Sequence, residues 1–183
     1  MKTFFLKCRS CLKSSRAYTL VEVLVSFFIF AMISGSAVTV FMSSTDLWKI
    51  NNVKLELQQE LRKSMDWMNI DLLQAGASTM TNVPANGTWY TTITFNTATG
   101  VTEGSTTWSS NTIQFVLGGS SSNQLQRVSG AATKVIAQDV KSLQFRRQSS
   151  TPNILEVSMQ AQKSTIRGAS MTMASSFKVT LRN

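Results

Sequence analysis

A mostly apolar run of 23 residues constrains this chain more than any other feature of its sequence. The run extends from Leu20 to Met42 and contains one charged residue, Glu22. A helix of about 20 apolar residues is long enough to cross the hydrocarbon core of a membrane. The run therefore predicts a membrane-spanning helix, and it separates a short segment before it from a larger polar part after it.

Positive charge before the run predicts its orientation. Five basic residues precede it. They contribute +5 to the formal net charge of +9, which leaves a net charge of +4 for residues 18–183. They are Lys2, Lys7, Arg9, Lys13 and Arg16. Because basic flanks of a membrane helix stay in the cytoplasm, we expect a cytoplasmic N terminus and a soluble part on the other side of the membrane.

The two cysteines, Cys8 and Cys11, lie in the same basic segment. A C-x-x-C spacing can indicate a redox or metal site, but the chain has no second pair and no histidine. We interpret the spacing as coincidental. The part beyond the membrane has no cysteine, so its core has to hold it together without disulfides.

Residues 18–75 are predicted to form one long helix. They contain no proline and a single glycine, Gly35. After the apolar run, apolar residues recur at helical spacing and predict one buried stripe. The stripe consists of Leu47, Ile50, Leu57, Leu61, Met65, Met68 and Leu72. Gly76 follows where a helix C terminus favours a residue with positive φ.

Beyond the helix, residues 76–183 are predicted to form a β-rich head. Residues 76–88 have loop composition, and then the apolar period changes to two, which is typical of half-buried antiparallel strands. We expect one antiparallel sheet of about five or six strands. The segments expected to contribute are 89–95, 113–117, 124–128, 140–146, 155–161 and 171–181. Packed on the distal half of the helix, this sheet predicts an α+β fold.

Glu22 needs an explanation because it is the one charge in the apolar run. Thr19 and Glu22 match a capping box, in which each side chain satisfies the other residue's backbone N–H group. A carboxylate in a first helical turn is also favoured by the helix dipole. Both effects make Glu22 tolerable, but they do not explain why a basic segment meets an apolar helix here.

An ordinary secretory signal peptide is one alternative, with cleavage after Ala37 and small residues at the cleavage positions. The apolar run is longer than the 7–15 residues typical of such peptides. It also carries an acid, and the helical pattern continues in phase beyond the proposed cut.

The stretch from Arg16 to Glu22, R-A-Y-T-L-V-E, together with the apolar helix after it, resembles the class III signal of type IV prepilins and type II secretion pseudopilins. The resemblance implies that a prepilin peptidase cuts after Ala17 and that the new N terminus, Tyr18, is methylated. It implies a cleaved leader, 1–17, and a stem whose residues 18–42 cross the membrane and later form a filament core. Ala17 replaces the family's usual glycine, and Tyr18 its commoner Phe or Met.

The resemblance also implies a role for Glu22 in assembly, supported by Thr19. In the family, this carboxylate is thought to meet the free amine of a neighbouring subunit. Residues 135–145 and the ending F-K-V-T-L-R-N are similar to W-type minor pilins and J-type pseudopilins. The implied protein is a minor subunit that primes or caps a pilus or pseudopilus, with pilin subunits and the peptidase as its partners. It would lie in the inner membrane before assembly and in a periplasmic or cell-surface filament afterwards.

The head has few residues suited to catalysis. It has no His or Cys and three carboxylates, Glu103, Asp139 and Glu156, so we expect no enzyme activity, cofactor or metal. Its net charge of +6 allows attraction to nucleic acid or to an acidic partner, for which Arg146 and Arg147 are the candidate patch. Alternatively, these cations occupy solvated strand faces. The alternative function is a membrane-anchored periplasmic protein whose basic head binds a ligand or DNA.

Overall fold

The structure is a computed structural model, and it describes residues 18–165 and 168–182. The leader, with the expected cleavage residue Ala17, lies outside the described residues, as does Arg167. The chain divides into two units, residues 1–46 and residues 47–183.

A long N-terminal helix, α1, spans Leu20–Leu73 and confirms the helical prediction. In the second unit, the buried residues of α1 follow the predicted stripe in part. Leu57, Leu61, Met68 and Leu72 are buried, whereas Leu47 is 59 % exposed because the head covers α1 only from about Val53 onward.

Ser64 occupies a buried position of this stripe that apolar periodicity did not reveal. Its hydroxyl donates to the carbonyl oxygens of Glu60 and Leu61, each at 2.8 Å. A helix can bury a serine in this way because its own carbonyl groups satisfy the hydroxyl.

The expectation of a positive φ at Gly76 is wrong. Gly76 has φ −82° and ψ 133°, which is extended backbone. A Cβ atom there would lie 2.5 Å from the Cη2 atom of the Trp108 ring. Glycine is therefore required for the close approach of an indole ring, not for a left-handed helix end.

The head contains a short 3-10 helix and seven described strands in two antiparallel sheets, whereas the sequence predicted one sheet of about five or six strands. The 3-10 helix spans Ala77–Thr79. The first sheet has the order β1-β2-β3-β4, with bounds Ile93–Thr102, Ser105–Gly118, Gln124–Ser129 and Ala132–Ala137. The second sheet has the order β5-β6-β7, with bounds Val140–Gln148, Thr151–Ser164 and Ser170–Thr180.

The division into two sheets occurs between β4 and β5, at Asp139. This residue has φ 59°, a left-handed conformation that Asp adopts more readily than most residues. The strand that follows it, β5, belongs to the second sheet. The sequence did not predict strand β4. This strand has only six residues, and most of them are exposed, so its apolar and polar residues show no clear alternation.

The core lies between α1 and the inner faces of both sheets. It includes the fully buried aromatic residues Phe95, Phe115 and Phe145, and the alternating residues of β6 that the sequence predicted. These β6 residues are Leu155, Val157, Met159 and Ala161. The α+β fold with a β-rich head packed on the distal part of α1 is therefore confirmed.

We expect Gly76→Ala to lower the free energy of unfolding by about 1–3 kcal/mol, because an added methyl group in a filled site displaces its neighbours. The measurement is urea denaturation of the full chain in detergent, followed by circular dichroism. Gly35→Ala is the matched control, since a Cβ atom at Gly35 would meet nothing within 4 Å.

Trp108→Leu should recover part of the loss in the double variant with Gly76→Ala, because the smaller side chain frees the space that a Cβ atom needs. Strictly additive losses would contradict the steric explanation.

Candidate functional site

The first turn of α1 places Thr19 as its N-cap. The backbone oxygen of Thr19 accepts hydrogen bonds from the N–H groups of Glu22 and Val23, at 3.0 and 3.2 Å. The hydroxyl oxygen of Thr19 also accepts from the Glu22 N–H group, at 3.3 Å. This is one of the two bonds of the predicted capping box.

The carboxylate of Glu22 does not form the other bond of the box. Glu22 is exposed, and within residues 18–165 and 168–182 its carboxylate has no hydrogen-bond or ion-pair partner. The first turn therefore positions an unpaired negative charge at the start of an apolar helix, where a positive group from outside these residues can reach it.

The apolar surface that follows Glu22 is uncovered. Every large apolar side chain from Tyr18 to Met42 is at least half exposed, with Tyr18 at 77 %. By length and composition, α1 could cross a membrane, and its apolar window is not buried in the protein. Apolar patches of this size are normally covered by a membrane or by other proteins.

Three hydroxyl groups within the apolar surface are satisfied by the helix itself. Ser26 donates to the Glu22 carbonyl oxygen at 2.7 Å, and Ser36 donates to the Ile33 carbonyl oxygen at 2.8 Å. Thr39 donates to the Ser36 carbonyl oxygen at 2.7 Å. These bonds suit an apolar surrounding, in which an unsatisfied polar group is costly. Glu22 differs from these residues because its charge has no such internal partner.

Residues 12–38 match the prokaryotic N-terminal methylation motif. The chain carries a type IV pilin-like class III signal peptide. This signal includes Ala17, Tyr18, Thr19 and Glu22, and it implies processing by a peptidase and assembly with other pilin subunits. No curated protein matches the chain significantly. The match ends before the head, so the pilin-like character rests on the N-terminal segment.

Within the pilin-like segment, Tyr18 and Thr19 precede α1, and Glu22 lies in its first turn. Tyr18 lines a shallow apolar groove with Phe27 and Phe30. The expected methylation residue, Tyr18, therefore lies two residues before α1 and four residues before the expected assembly residue, Glu22.

Arg146 and Arg147, the candidate patch of the head, point to opposite faces of β5. Arg146 donates to Glu156 from Nε at 2.8 Å, and its guanidinium lies 4.4 Å from the Trp89 ring centre. Arg147 is buried, and its guanidinium donates to the backbone carbonyl oxygens of Pro152 and Val83. Its burial lowers the pKa of the guanidinium. The two residues do not form one joint surface, and nucleic-acid binding by either stays a prediction.

Glu156 has a structural role that the sequence analysis did not recognise. Strand register places Arg146, Glu156 and Lys178 in one row across β5, β6 and β7. The Glu156 side chain is 12 % exposed, and Lys178 Nζ lies 2.7 Å from its Oε1 atom. Hydrogen bonds from Lys178 and then Arg146 lower the pKa of this carboxyl group. The sequence contains these opposite charges in three predicted strands, and such charges stabilise a sheet when they face each other across neighbouring strands. Only the strand register shows that they do.

Two further ion pairs reduce the positive charge of the head. Arg127 contacts Asp71 of α1 at 2.6 Å, and Lys163 contacts Glu56 of α1 at 2.5 Å. The hydrogen bond that the Lys163 amine donates to the Glu56 carboxylate raises the pKa of that amine. Much of the charge that suggested an anionic ligand therefore serves to hold the head together and to attach it to α1.

We expect acid to remove the stabilisation that Glu156 provides. Because its pKa is lowered in the folded state, the contribution is present above the ordinary carboxyl pKa and is lost as the pH falls through the folded value. Glu156→Gln should cost about 1–3 kcal/mol at neutral pH. As the pH falls below the ordinary carboxyl pKa of about 4.3, the difference in stability between this variant and the wild type should shrink progressively.

Urea denaturation at several pH values measures this effect. Glu103→Gln is the control, because Glu103 is exposed in the turn between β1 and β2. A constant stability difference between wild type and Glu156→Gln from pH 7 to pH 3 would contradict the role assigned to Glu156.

Proposed function

We propose that the chain is a minor pilin or pseudopilin, a structural subunit that primes or caps a type IV pilus or a type II secretion pseudopilus. The observation that carries this proposal is the exposed, unpaired Glu22 carboxylate at the start of an uncovered apolar helix. A soluble protein would not leave this surface uncovered.

In this proposal, a prepilin peptidase cuts between Ala17 and Tyr18, and the new amine of Tyr18 is methylated. The amine is a positive group that does not exist before the cut. In a filament, the Glu22 carboxylate of one subunit pairs with the Tyr18 amine of the next. A charge among apolar helices is costly unless it is paired, so a subunit in the wrong register leaves both charges unpaired. The pair therefore selects the register of assembly.

The domain roles follow from this mechanism. Residues 1–17 are a cleaved cytoplasmic leader, residues 18–75 the stem, and residues 76–183 the head. Residues 18–42 cross the inner membrane before assembly, with the N terminus inside, and form the filament core afterwards. The five basic residues of the leader support this orientation.

The proposed subgroup is that of W-type minor pilins and J-type pseudopilins. The two segments that carry the similarity lie in the strands of the head: residues 135–145 run from the end of β4 through most of β5, and residues 177–183 begin at the end of β7. Such a subunit belongs to the tip complex that starts the filament.

Mass spectrometry of the mature N terminus tests the processing step. We expect a chain that begins at methylated Tyr18. An uncut chain would favour the membrane-anchored binding protein, and a chain that begins at Val38 would indicate a secretory signal peptide. Ala17→Gly is the matched control, and it should be cut at least as completely as the wild type because glycine is the usual residue of the motif.

Glu22→Ala should leave cutting between Ala17 and Tyr18 largely intact but impair incorporation into filaments, because the neighbour's amine loses its partner. The readout is the ratio of subunit in sheared filaments to subunit in the membrane. Glu103→Ala removes a carboxylate from the exposed turn of the head and should not change this ratio. Normal incorporation of Glu22→Ala would overturn the assembly role.

A further inference from the structure

The outer edge of β7 is a long strand edge. β7 has 11 residues, contains no proline and lies at one end of the three-stranded sheet. Backbone N–H and C=O groups on such an edge are ready to pair with another strand. Proteins normally cover, shorten or charge their strand edges for this reason.

The hydrogen bonds after β7 show which of its residues direct backbone groups outward. Leu181 donates to the Asn153 oxygen at 2.8 Å and so faces β6, whereas Arg182 donates to the Ala75 oxygen on the opposite side. Successive residues of an antiparallel strand direct their backbone N–H and C=O groups to opposite sides. The pairing of β7 with β6 contains no register shift, so this alternation holds along the whole strand. The outward-facing residues are Thr172, Ala174, Ser176, Lys178 and Thr180. Their backbone groups have no partner on this side within the part of the chain that the structure describes.

The other three edges of the described sheets are covered by another part of the chain or are short and irregular. The β1 edge is covered by the chain after α1, where Ala98 donates to the Gln74 oxygen at 2.9 Å. The β5 edge is covered by Tyr90, which exchanges two hydrogen bonds with Phe145, at 2.8 and 2.7 Å. The β4 edge has six residues, and its pairing with β3 contains a register shift. Among the described residues, none covers the β7 edge, and the pairing of β7 with β6 contains no register shift.

A groove of about 390 Å³ lies between the β7 edge and α1. Its apolar lining includes Met173 of β7 and Leu55 and Met65 of α1. Leu55 is 55 % exposed, and both methionines are only half-buried. Unpaired backbone groups and incompletely covered apolar side chains therefore lie side by side.

The groove also carries a positive charge. Arg62 of α1 lines it, and no carboxylate does. Among the described residues, Arg62 forms no ion pair. A carboxylate on the occupant would therefore complement the groove.

We propose that this groove binds one extended, acidic segment of a partner protein, which adds to β7 as a fourth strand. Main-chain hydrogen bonds to the outward-facing residues of β7 supply the pairing. Apolar side chains at alternate positions of the segment cover Leu55, Met65 and Met173, and a carboxylate pairs with Arg62. This binding site goes beyond the proposed filament role and does not depend on cutting at Ala17.

The test uses the full chain in detergent and a synthetic peptide of about eight residues, the length of an ordinary strand. The peptide alternates valine with threonine or glutamate. We expect it to bind and to slow hydrogen exchange at the Ala174 and Ser176 amides by about tenfold or more. A peptide with proline at its centre should not bind. Absence of binding by the acidic peptide, or protection confined to another part of the head, would overturn the proposal.

Ser176→Pro removes an outward N–H group without breaking the pairing of β7 with β6. It should weaken peptide binding by about tenfold, which corresponds to one lost hydrogen bond. Ser176→Ala keeps the N–H group and is the matched control. Circular dichroism reports whether Ser176→Pro folds, and equal binding by a folded Ser176→Pro variant would overturn the proposal.

Arg62→Glu tests the charge independently of the strand edge. It should weaken binding of the acidic peptide and strengthen binding of a counterpart with lysine in place of glutamate. Lys54→Glu, outside the groove on the same helix, should change binding by less than about twofold. If Arg62→Glu kept the same preference for the acidic peptide, the proposal of an acidic partner would be wrong.

If the chain associates with itself and Ser176→Pro abolishes this association, the occupant of the groove is instead a second copy of the chain.

Discussion

Covering the apolar surface of α1 is the requirement on which the rest of this protein depends. In the second unit, the protein covers it itself, since both sheets of the head pack on one stripe that includes Leu57, Met68 and Leu72. In the first unit, the large apolar side chains from Tyr18 to Met42 remain exposed. The free energy of burying that surface is available only to a membrane or to other subunits.

In the proposed filament, Glu22 selects the register in which the apolar helices of neighbouring subunits pack. Hydrophobic contacts alone are not directional, so they would tolerate many registers between neighbouring helices. A carboxylate at the start of the helix restricts the choice, because its charge is costly in an apolar surrounding without a positive partner. The hydroxyl groups of Ser26, Ser36 and Thr39 impose no such restriction, since the helix satisfies them internally.

The head shows that a positive formal charge need not mark a ligand site. Arg127 and Lys163 bind carboxylates of α1, and Arg146 and Lys178 bind Glu156. With no cysteine in this part of the chain, the core and these ion pairs hold the sheets to the helix. Arg62 remains without such a pair, and it lies beside the one strand edge that is both long and uncovered in the described residues.

Local patterns in the sequence predicted much of the fold. Apolar spacing indicated the long helix, and alternation indicated the buried faces of β1, β2, β5 and β6, because these depend on neighbours along the chain. Alternation could not show that the strands form two sheets, since strand pairing depends on residues far apart. The missed strand β4 and the left-handed residue Asp139 lie at that division.

The sequence by itself determined the class III signal, the apolar helix and the presence of Glu22 in its first turn. These features depend on residue identity and short spacing. Only the tertiary structure decided why residue 76 is glycine, that Arg147 is buried while Arg146 pairs with Glu156, and that no described residue covers the β7 edge. Each of these depends on which groups meet across long separations in the chain: the Trp108 ring, the facing strand positions and the chain beside each sheet edge.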